Sequence, residues 1–511
     1  MSAPISTPDG TPPPPPPLTQ GPPVQPRWAT ALKHTIFELR QQRRIAAPLT
    51  IMNLTWFAKS TITTIFLGRL GDLQLAGGAL GLTFANVTGY SVLTGLCGAM
   101  EPICGQAYGA GNRGLLRKTL LMEILLLLVA SIPISFLWLN MDVILLRFGQ
   151  QKEIASLAKK YVVFLLPDLF VTAFLSPLKA YLNSQGVTLP ALFSSATALV
   201  LHLPLNILLC KLKALEGVAM AVWLTDLTVA IMLALYVFIT EINTKSRDNN
   251  VPLPWWKQSK AEWARLLRLA MPCCLNMCLE WWCYEILVLL TGRLPDPKRM
   301  VAIITIVFNF DYLLFSVMLS LATAASVRVS NELGAGRGTA ARAAAYVSIS
   351  MGSLGGLISA AAMAGARGWW GVVFSKDRRI VAGVKSTMLI MAVVEVVNFP
   401  LAVSGGIVRG TARPLLGMYA STGGFYLVAL PLAVLLGFKA GLGLSGLLLG
   451  FLVGGATSCV LLLVFLASID WEREAEKAQR LAAVSLNGAD EPNGFEGESS
   501  SRIHDIRTIN D

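Results

Sequence analysis

Arg44-Ile45-Ala46-Ala47-Pro48 is echoed by Arg268-Leu269-Ala270-Met271-Pro272, 224 residues further along the chain. Gly68-Arg69-Leu70 recurs as Gly292-Arg293-Leu294 at the same spacing, and Gly186 and Pro190 match Gly410 and Pro414. Gly109-Ala110-Gly111 returns as Gly334-Ala335-Gly336, one residue out of step. Four short matches at nearly one offset mark an internal duplication. In a membrane protein, two like halves usually work by moving against each other around a site between them.

Both halves read as membrane. Hydrophobic residues make up 54% of the sequence and charged residues 14%, against about 25% charged in soluble globular chains. Runs apolar enough to cross a hydrocarbon layer of about 30 Å recur at 44–66, 74–100, 118–140, 155–179, 187–210, 216–240, 264–291, 299–327, 339–366, 380–408, 414–437 and 442–468. Barrel strands need only about 9–11 residues. Backbone groups in lipid must be satisfied within their own segment, so these runs are helices. The expected fold is an all-α membrane protein: twelve transmembrane helices in two six-helix bundles related by a parallel internal repeat. Residues 44–240 carry spans 1–6 as an N-lobe, and 264–468 carry spans 7–12 as a C-lobe.

The other segments are polar. Residues 1–43 read as a disordered, Pro-rich tail with Pro12 to Pro17 unbroken, a composition that does not build a core. The alternative is a polyproline ligand for a partner. No apolar core follows a charged start, so this is not a signal peptide. Residues 241–263 form a linker and 469–511 a C-terminal tail, in which Trp471 to Leu481 is expected as a short charged helix on the membrane surface. Twelve spans put both termini on one side. Arg27, Lys33, Arg40, Arg43 and Arg44, with Lys245, Arg247, Lys257 and Lys260 of the linker, assign that side to the cytoplasm. Arg378 and Arg379 fall on the opposite side. The net charge of +12 fits contact with anionic cytoplasmic lipid, and basic residues scattered among the spans argue against nucleic acid. Plasma membrane, vacuole, Golgi and endosome all remain open.

Cys273, Cys274, Cys278 and Cys283 crowd one span, and Cys97 and Cys104 share another. Thiols buried in helices pack as small apolar groups. The three histidines lie far apart, so neither a metal site nor a cofactor is expected.

Function must reside in polar groups inside the membrane, which are costly and usually kept for use. Glu280 lies mid-span with Tyr284 one turn on and sharing its face. Burial favours the neutral form of such an acid and suits it to carry a proton. A permanently hydrogen-bonded structural acid is the alternative. Glu285 lies well round the helix and is given a different job. Glu395 and Asn398 are three apart and share a face of span 10. Pro400 should loosen that helix and free carbonyls to line a cavity. Asn309 and Asp311 of span 8 are two apart, and either could reach the cavity. The N-lobe reads as poorer in such acids, since Glu280 maps onto Trp56 and Glu395 onto Val171. It carries instead Lys59 and, after Pro167, Asp168. Lys59 could attract an anionic substrate or be neutralised by Asp168 or Glu123.

These residues resemble a known family. Glu101-Pro102-Ile103-Cys104-Gly105-Gln106-Ala107-Tyr108-Gly109-Ala110-Gly111 looks like the second-to-third-span loop of plant multidrug and toxic compound extrusion (MATE) transporters of the detoxification branch. Arg328-Val329-Ser330-Asn331-Glu332-Leu333-Gly334-Ala335-Gly336 looks like their eighth-to-ninth-span loop. Glu280-Trp281-Trp282 and Gly406-Ile407-Val408-Arg409-Gly410 also fit. The resemblance covers about 30–470. It implies two bundles around a V-shaped cavity, proton-coupled export of small organic compounds such as hormones or secondary metabolites, and a monomer. Glu280 is the seventh-span glutamate carried over. Where many relatives have an aspartate, this chain has Asn398, and Glu395 is the natural substitute. Glu101 and the glycines Gly109, Gly111, Gly334 and Gly336 belong to two loops read either as an inner gate or as inherited short turns.

Two other classes were weighed. A major-facilitator transporter also has parallel six-span halves, but its second-to-third loop is rich in Asp and Arg where this chain reads Gly105-Gln106-Ala107-Tyr108. A membrane-embedded enzyme needs a nucleophile, base or metal set, and no HExxH or GxSxG occurs. The chain is therefore read as a secondary transporter and not an enzyme.

Overall fold

A computed structural model describes residues 27–245 and 258–487. Its long helices are α1 (Arg27–Leu70), α2 (Asp72–Gly109), α3 (Arg113–Leu139), α4 (Lys152–Ser184), α5 (Leu189–Lys213), α6 (Leu215–Asn243), α7 (Lys260–Thr291), α8 (Pro297–Gly334), α9 (Gly338–Ala366), α10 (Arg378–Gly410), α11 (Pro414–Lys439) and α12 (Gly443–Ala467). A further helix, α13 (Trp471–Asn487), follows. Eleven of these, α2 to α12, are long and apolar enough to cross a membrane. α1 is less apolar because Asn53, Lys59, Ser60 and several threonines interrupt its middle. At 44 residues it is long enough, and it lies against α2, the α5–α6 unit and, from the other half, α8. It completes the first six-helix bundle.

Capping residues mark where helices start. Ser259 and Glu262 form a reciprocal capping box at α7. The Asn112 side chain accepts the Leu115 N–H at the start of α3. Ala214, at φ 47°, breaks the chain between α5 and α6. α10 is helical on both sides of Pro400, whose missing N–H leaves the Val396 carbonyl without its helical donor. The irregular turns are π-helical, at Asn86–Tyr90 in α2 and at Thr422–Ala429 and Leu435–Lys439 in α11.

Each half has its own apolar core. One includes Leu93, Trp138, Tyr161 and Leu233. The other includes Val307, Met391, Phe399's neighbour Leu401, and Phe451. The first core also takes in Leu266, Ala270, Cys274 and Cys278 of α7 with Ala324 and Val327 of α8, so the halves are joined where these helices approach the linker side. Hydrogen bonds between lobes follow the same line. Gln42 Nε2 donates to the Ala344 carbonyl at 3.1 Å, Asn53 Nδ2 to Ser320 Oγ at 3.0 Å, and Trp282 Nε1 to the Val87 carbonyl at 3.2 Å. Further along α1 and α8, towards the opposite side, Trp56 is 54% and Tyr312 50% exposed. The lobes are thus packed against each other along α1, α2, α7, α8 and α9.

Three boundaries differ from the sequence reading. Residues 27–43 are helical, because α1 begins well before the apolar run. The linker is helical at both ends, up to Lys245 and from Lys260. The polyproline run and residues 246–257 lie outside the described residues. The charged C-terminal helix reaches Asn487, and its face of Trp471, Ala475, Ala478 and Ala482 is buried against the protein. Asn112 Nδ2 of the N-lobe donates to the Ala482 carbonyl at 2.8 Å, Arg265 to the Leu481 carbonyl at 3.2 Å, and Arg413 pairs with Glu474. α13 thus spans the closed ends of both lobes instead of lying on lipid.

Candidate functional site

In the C-lobe, Glu280 of α7 faces a cavity of about 60 Å3 between α7, α8, α10 and α11. Met277, Phe315, Met318 and Phe425 make most of the wall apolar, and Arg409 supplies the cation. Arg409 Nε also donates to Glu101 Oε2 at 3.2 Å across the lobes, so one guanidinium lies between an acid of each half. Tyr284 does not serve Glu280 as the shared face implied. Its hydroxyl accepts Asn398 Nδ2 at 3.3 Å, and its ring meets Phe308 and Phe451 edge-on at 5.5 and 4.9 Å.

The second acid of the C-lobe is a pair. Glu395 and Asp311 are both buried, with their carboxyls in hydrogen-bonding contact and Asn398 beside Glu395. A hydrogen bond between two carboxyls exists only when one carries a proton. Of the two candidates on α8, Asp311 therefore joins this cluster. Asn309 is half-buried with no hydrogen bond among the described residues, and Glu285 is half-buried away from the pair, near Tyr312.

The N-lobe is richer in charge than the sequence reading allowed. Lys59 Nζ binds both oxygens of Asp226 of α6, at 2.5 and 2.6 Å; its partner is neither Asp168 nor Glu123. Glu123 is fully buried with neither oxygen hydrogen-bonded. Asp168 accepts the Tyr90 hydroxyl at 2.5 Å and meets the Asp226 carboxyl. Buried His202 braces the group from behind: Thr63 Oγ1 lies 3.1 Å from its Nε2 and Thr225 Oγ1 2.9 Å from its Nδ1. Asp226, His202, Lys179 and Tyr90 were missed. The signal for Asp226 was the same one used for Glu280, a charge in the middle of a span.

The glycine loops meet across the lobes. A Cβ on Gly109 would lie 2.0 Å from the Asn331 carbonyl oxygen, and one on Gly334 would lie 2.1 Å from that of Gln106. Asn331 is the repeat counterpart of Gln106, so the contact is self-complementary about a pseudo-two-fold axis. Gly111 and Gly336 turn the chain with nearly equal φ of 74° and 72°. Glu101 lies inside α2, not in the loop. Beside it, Arg328 bridges Glu38 of α1 and Glu332 at 2.8 and 2.7 Å. All eight cysteines are free, and among the described residues no His, Cys, Asp or Glu group is placed to hold a metal.

The residue pattern described as MatE matches the chain over 48–208 and again over 272–435, once in each lobe. The chain belongs to the MatE family. It is 57% identical over 454 residues to Protein DETOXIFICATION 56 of Arabidopsis thaliana, covering 88% of this chain and 92% of that one. Protein DETOXIFICATION 48 of the same plant is 40% identical, over 89% of this chain and 85% of the relative. Among solved structures, the eukaryotic MATE transporter AtDTX14 superposes with a TM-score of 0.81 at 31% identity, over 88% of this chain and all of that one. An outward-facing multidrug resistance MATE transporter of the MOP superfamily matches at TM-score 0.75 and 16% identity, over 86% of this chain and 96% of that one, a likeness of fold alone. This MatE chain is a multi-span membrane transporter of small organic compounds, not an enzyme.

Proposed function

We propose that the chain exports small organic compounds, hormones or secondary metabolites among them, in exchange for protons by alternating access. Glu280 and the Glu395–Asp311 pair carry the protons. The observation that carries this reading is the carboxyl pair, in which a side chain 1% exposed lies against one 6% exposed. Acids in lipid-depth protein that can gain and lose one proton are the parts from which proton relays are built. The close packing of the two glycine turns on the linker side fits a state closed on that side. Glu101, Gly109, Gly111, Gly334 and Gly336 then belong to the inner gate, closed in this state. Both termini and the linker lie in the cytoplasm, the membrane is the plasma membrane or an endomembrane, and a monomer suffices because one chain supplies both lobes.

The test is dissipation of an imposed pH gradient in proteoliposomes when a panel of organic cations and anions is added. Asp311→Asn and Glu395→Gln should each suppress it while the purified variants remain monodisperse. Gradient-driven flux at the parent rate in both variants would remove the pair from the proton path.

A further inference from the structure

A cavity of about 790 Å3 lies outside both clusters of membrane charge, at the elbow where α12 turns into α13. It falls within the range of about 300–1,000 Å3 that ligand pockets occupy. The end of α12 supplies Phe465 and Ser468, the turn before α11 supplies Arg413, and the exposed face of α13 supplies Arg473, Lys477 and Arg480. The pairing of charges in it is uneven. Arg413 binds Glu474 and lies over the Phe465 ring, 5.9 Å from its centroid. Arg480 reaches Glu476 at 3.7 Å. Asp470 accepts the Arg473 backbone N–H at 3.2 Å at the start of α13, where the helix dipole favours a negative charge. Each of the three acids in the cavity is thus engaged. Arg473 and Lys477, one turn apart, have no ion pair or side-chain hydrogen bond among the described residues.

On a soluble helix, water satisfies two such cations. The surface they adjoin sets these apart. Leu461, Val464 and Ser468 follow one another at helical spacing and share a face of α12. Leu461 is 48% and Val464 65% exposed, in a helix long and apolar enough to cross the membrane, so this face meets lipid. Ser468 carries the same face into the cavity. On α11, Leu415 and Tyr419 are also exposed, on the side turned away from Pro414, Gly417 and Ser421, which line the Glu280 cavity. Apolar tracks on two neighbouring helices therefore end beside two free cations.

We propose that this cavity binds the headgroup of an anionic phospholipid, with Arg473 and Lys477 on its phosphate and its acyl chains along the Leu461–Val464 face of α12. The second free cation selects a headgroup of net negative charge, since a zwitterionic lipid brings an ammonium of its own. The apolar face selects a lipid over a free phosphate. The site lies at the linker end of the molecule, where α13 meets Arg265 of α7. The proposed topology puts that end in the cytoplasm, whose leaflet carries the anionic lipids.

The test titrates the purified full-length protein, in one nonionic detergent, with dioctanoyl phosphatidylserine and dioctanoyl phosphatidylcholine, which share their chains and differ in net charge. The parent should bind the serine lipid about tenfold or more tighter, the scale of two basic contacts at a membrane surface. Arg473→Gln with Lys477→Gln should erase the preference, and Arg473→Lys with Lys477→Arg should keep it. Arg378→Gln with Arg379→Gln removes two exposed cations at the other end of the C-lobe, where α10 starts, and should leave the preference unchanged. Neither Arg473 nor Lys477 holds a partner, so the double Gln variant should melt with the parent in lipid-free detergent, which separates a lost site from a lost fold. Inorganic phosphate in excess should not displace the bound lipid. Equal affinity of the parent for the two lipids, a preference that survives the double Gln change, the same loss from the Arg378 and Arg379 changes, or displacement by inorganic phosphate overturns the proposal. No measurement here involves a proton gradient or a transported compound, so its failure leaves the transport reading standing.

Discussion

In the N-lobe, Lys59, Lys179, Asp168 and Asp226 mix both signs of charge around one histidine. In the C-lobe, Glu280, Asp311 and Glu395 are acids, and Arg409 is the cation beside them. The two lobes share a backbone plan, yet Trp56 stands at the repeat position of Glu280 and Cys283 at that of Lys59. Duplication kept the helices and redistributed the ions. A mixed-sign cluster is neutralised by its own members and can hold one arrangement. A cluster of acids reaches neutrality only by taking up protons. The first is built to hold shape, the second to change charge state.

The greatest difference between the lobes should appear when repeat-equivalent positions are changed. Glu280→Gln should abolish transport driven by a proton gradient while insertion and yield stay normal, because amide and carboxyl have nearly the same shape. Trp56→Phe should leave transport close to the parent rate. Gradient-driven flux in proteoliposomes decides, and a well-folded Glu280→Gln variant that still transports at full rate would take Glu280 out of the mechanism.

A second contrast concerns stability. Lys59→Met strands Asp226 in the lobe interior, and breaking one side of a buried pair costs about 3–5 kcal/mol. Asp311→Asn strands no charge, since the amide can donate to Glu395 in place of the shared proton, and should change stability by less than about 1 kcal/mol. Thermal unfolding of the two variants in one detergent measures both. Equal melting temperatures would mean that Lys59 is as replaceable as a member of the acid pair.

A smaller effect is expected within the C-lobe. Glu395→Ala should lower transport by about tenfold, worth about 1.4 kcal/mol, and adding Asn398→Asp should recover part of it, since the two positions share a face of α10 with Asp311 opposite. Initial rates at fixed pH gradient are the measure, and a double variant no better than Glu395→Ala alone would show that the position of the acid matters more than its presence.

Much of this was legible in the chain. The offset near 224 residues and the apolar runs give two six-helix bundles. Charges stranded in apolar runs gave Glu280, Glu395, Asp311, Lys59 and Asp168. What sequence could not supply was partnership, because which face of one helix meets which face of another depends on rotations that no spacing records. Lys59 found Asp226 on α6 instead of Asp168 or Glu123, and Tyr284 found Asn398 instead of Glu280. Asp226 in span 6 has no acidic counterpart in the C-lobe, where the offset of 224 lands on Gly450. α13 was recognised as a helix, but its alanine face reads equally well against lipid or protein. Only Asn112 bonded to Ala482 and Arg413 paired with Glu474 tell the two apart.

At the gate, the difference between the lobes should vanish. Gly109 and Gly334 meet carbonyl oxygens of Asn331 and Gln106 at almost the same separation, 2.0 and 2.1 Å from where a Cβ would stand. Backbone cannot swing aside as a flexible side chain can, so a methyl group at either glycine must push the lobes apart, at the scale of about 1–3 kcal/mol for overpacking. Gly109→Ala and Gly334→Ala should therefore slow transport by similar factors, despite lying in lobes with unlike charge. Cysteines placed at Ala110 and Ala335 add the state dependence: they should crosslink while the cleft is open to the outside and stay apart when it opens inward. Crosslinking insensitive to substrate and pH, or one glycine variant harmless while its counterpart is not, would reduce the two loops to inherited turns and leave closure to Glu101–Arg409 and Glu38–Arg328, which have no such symmetry.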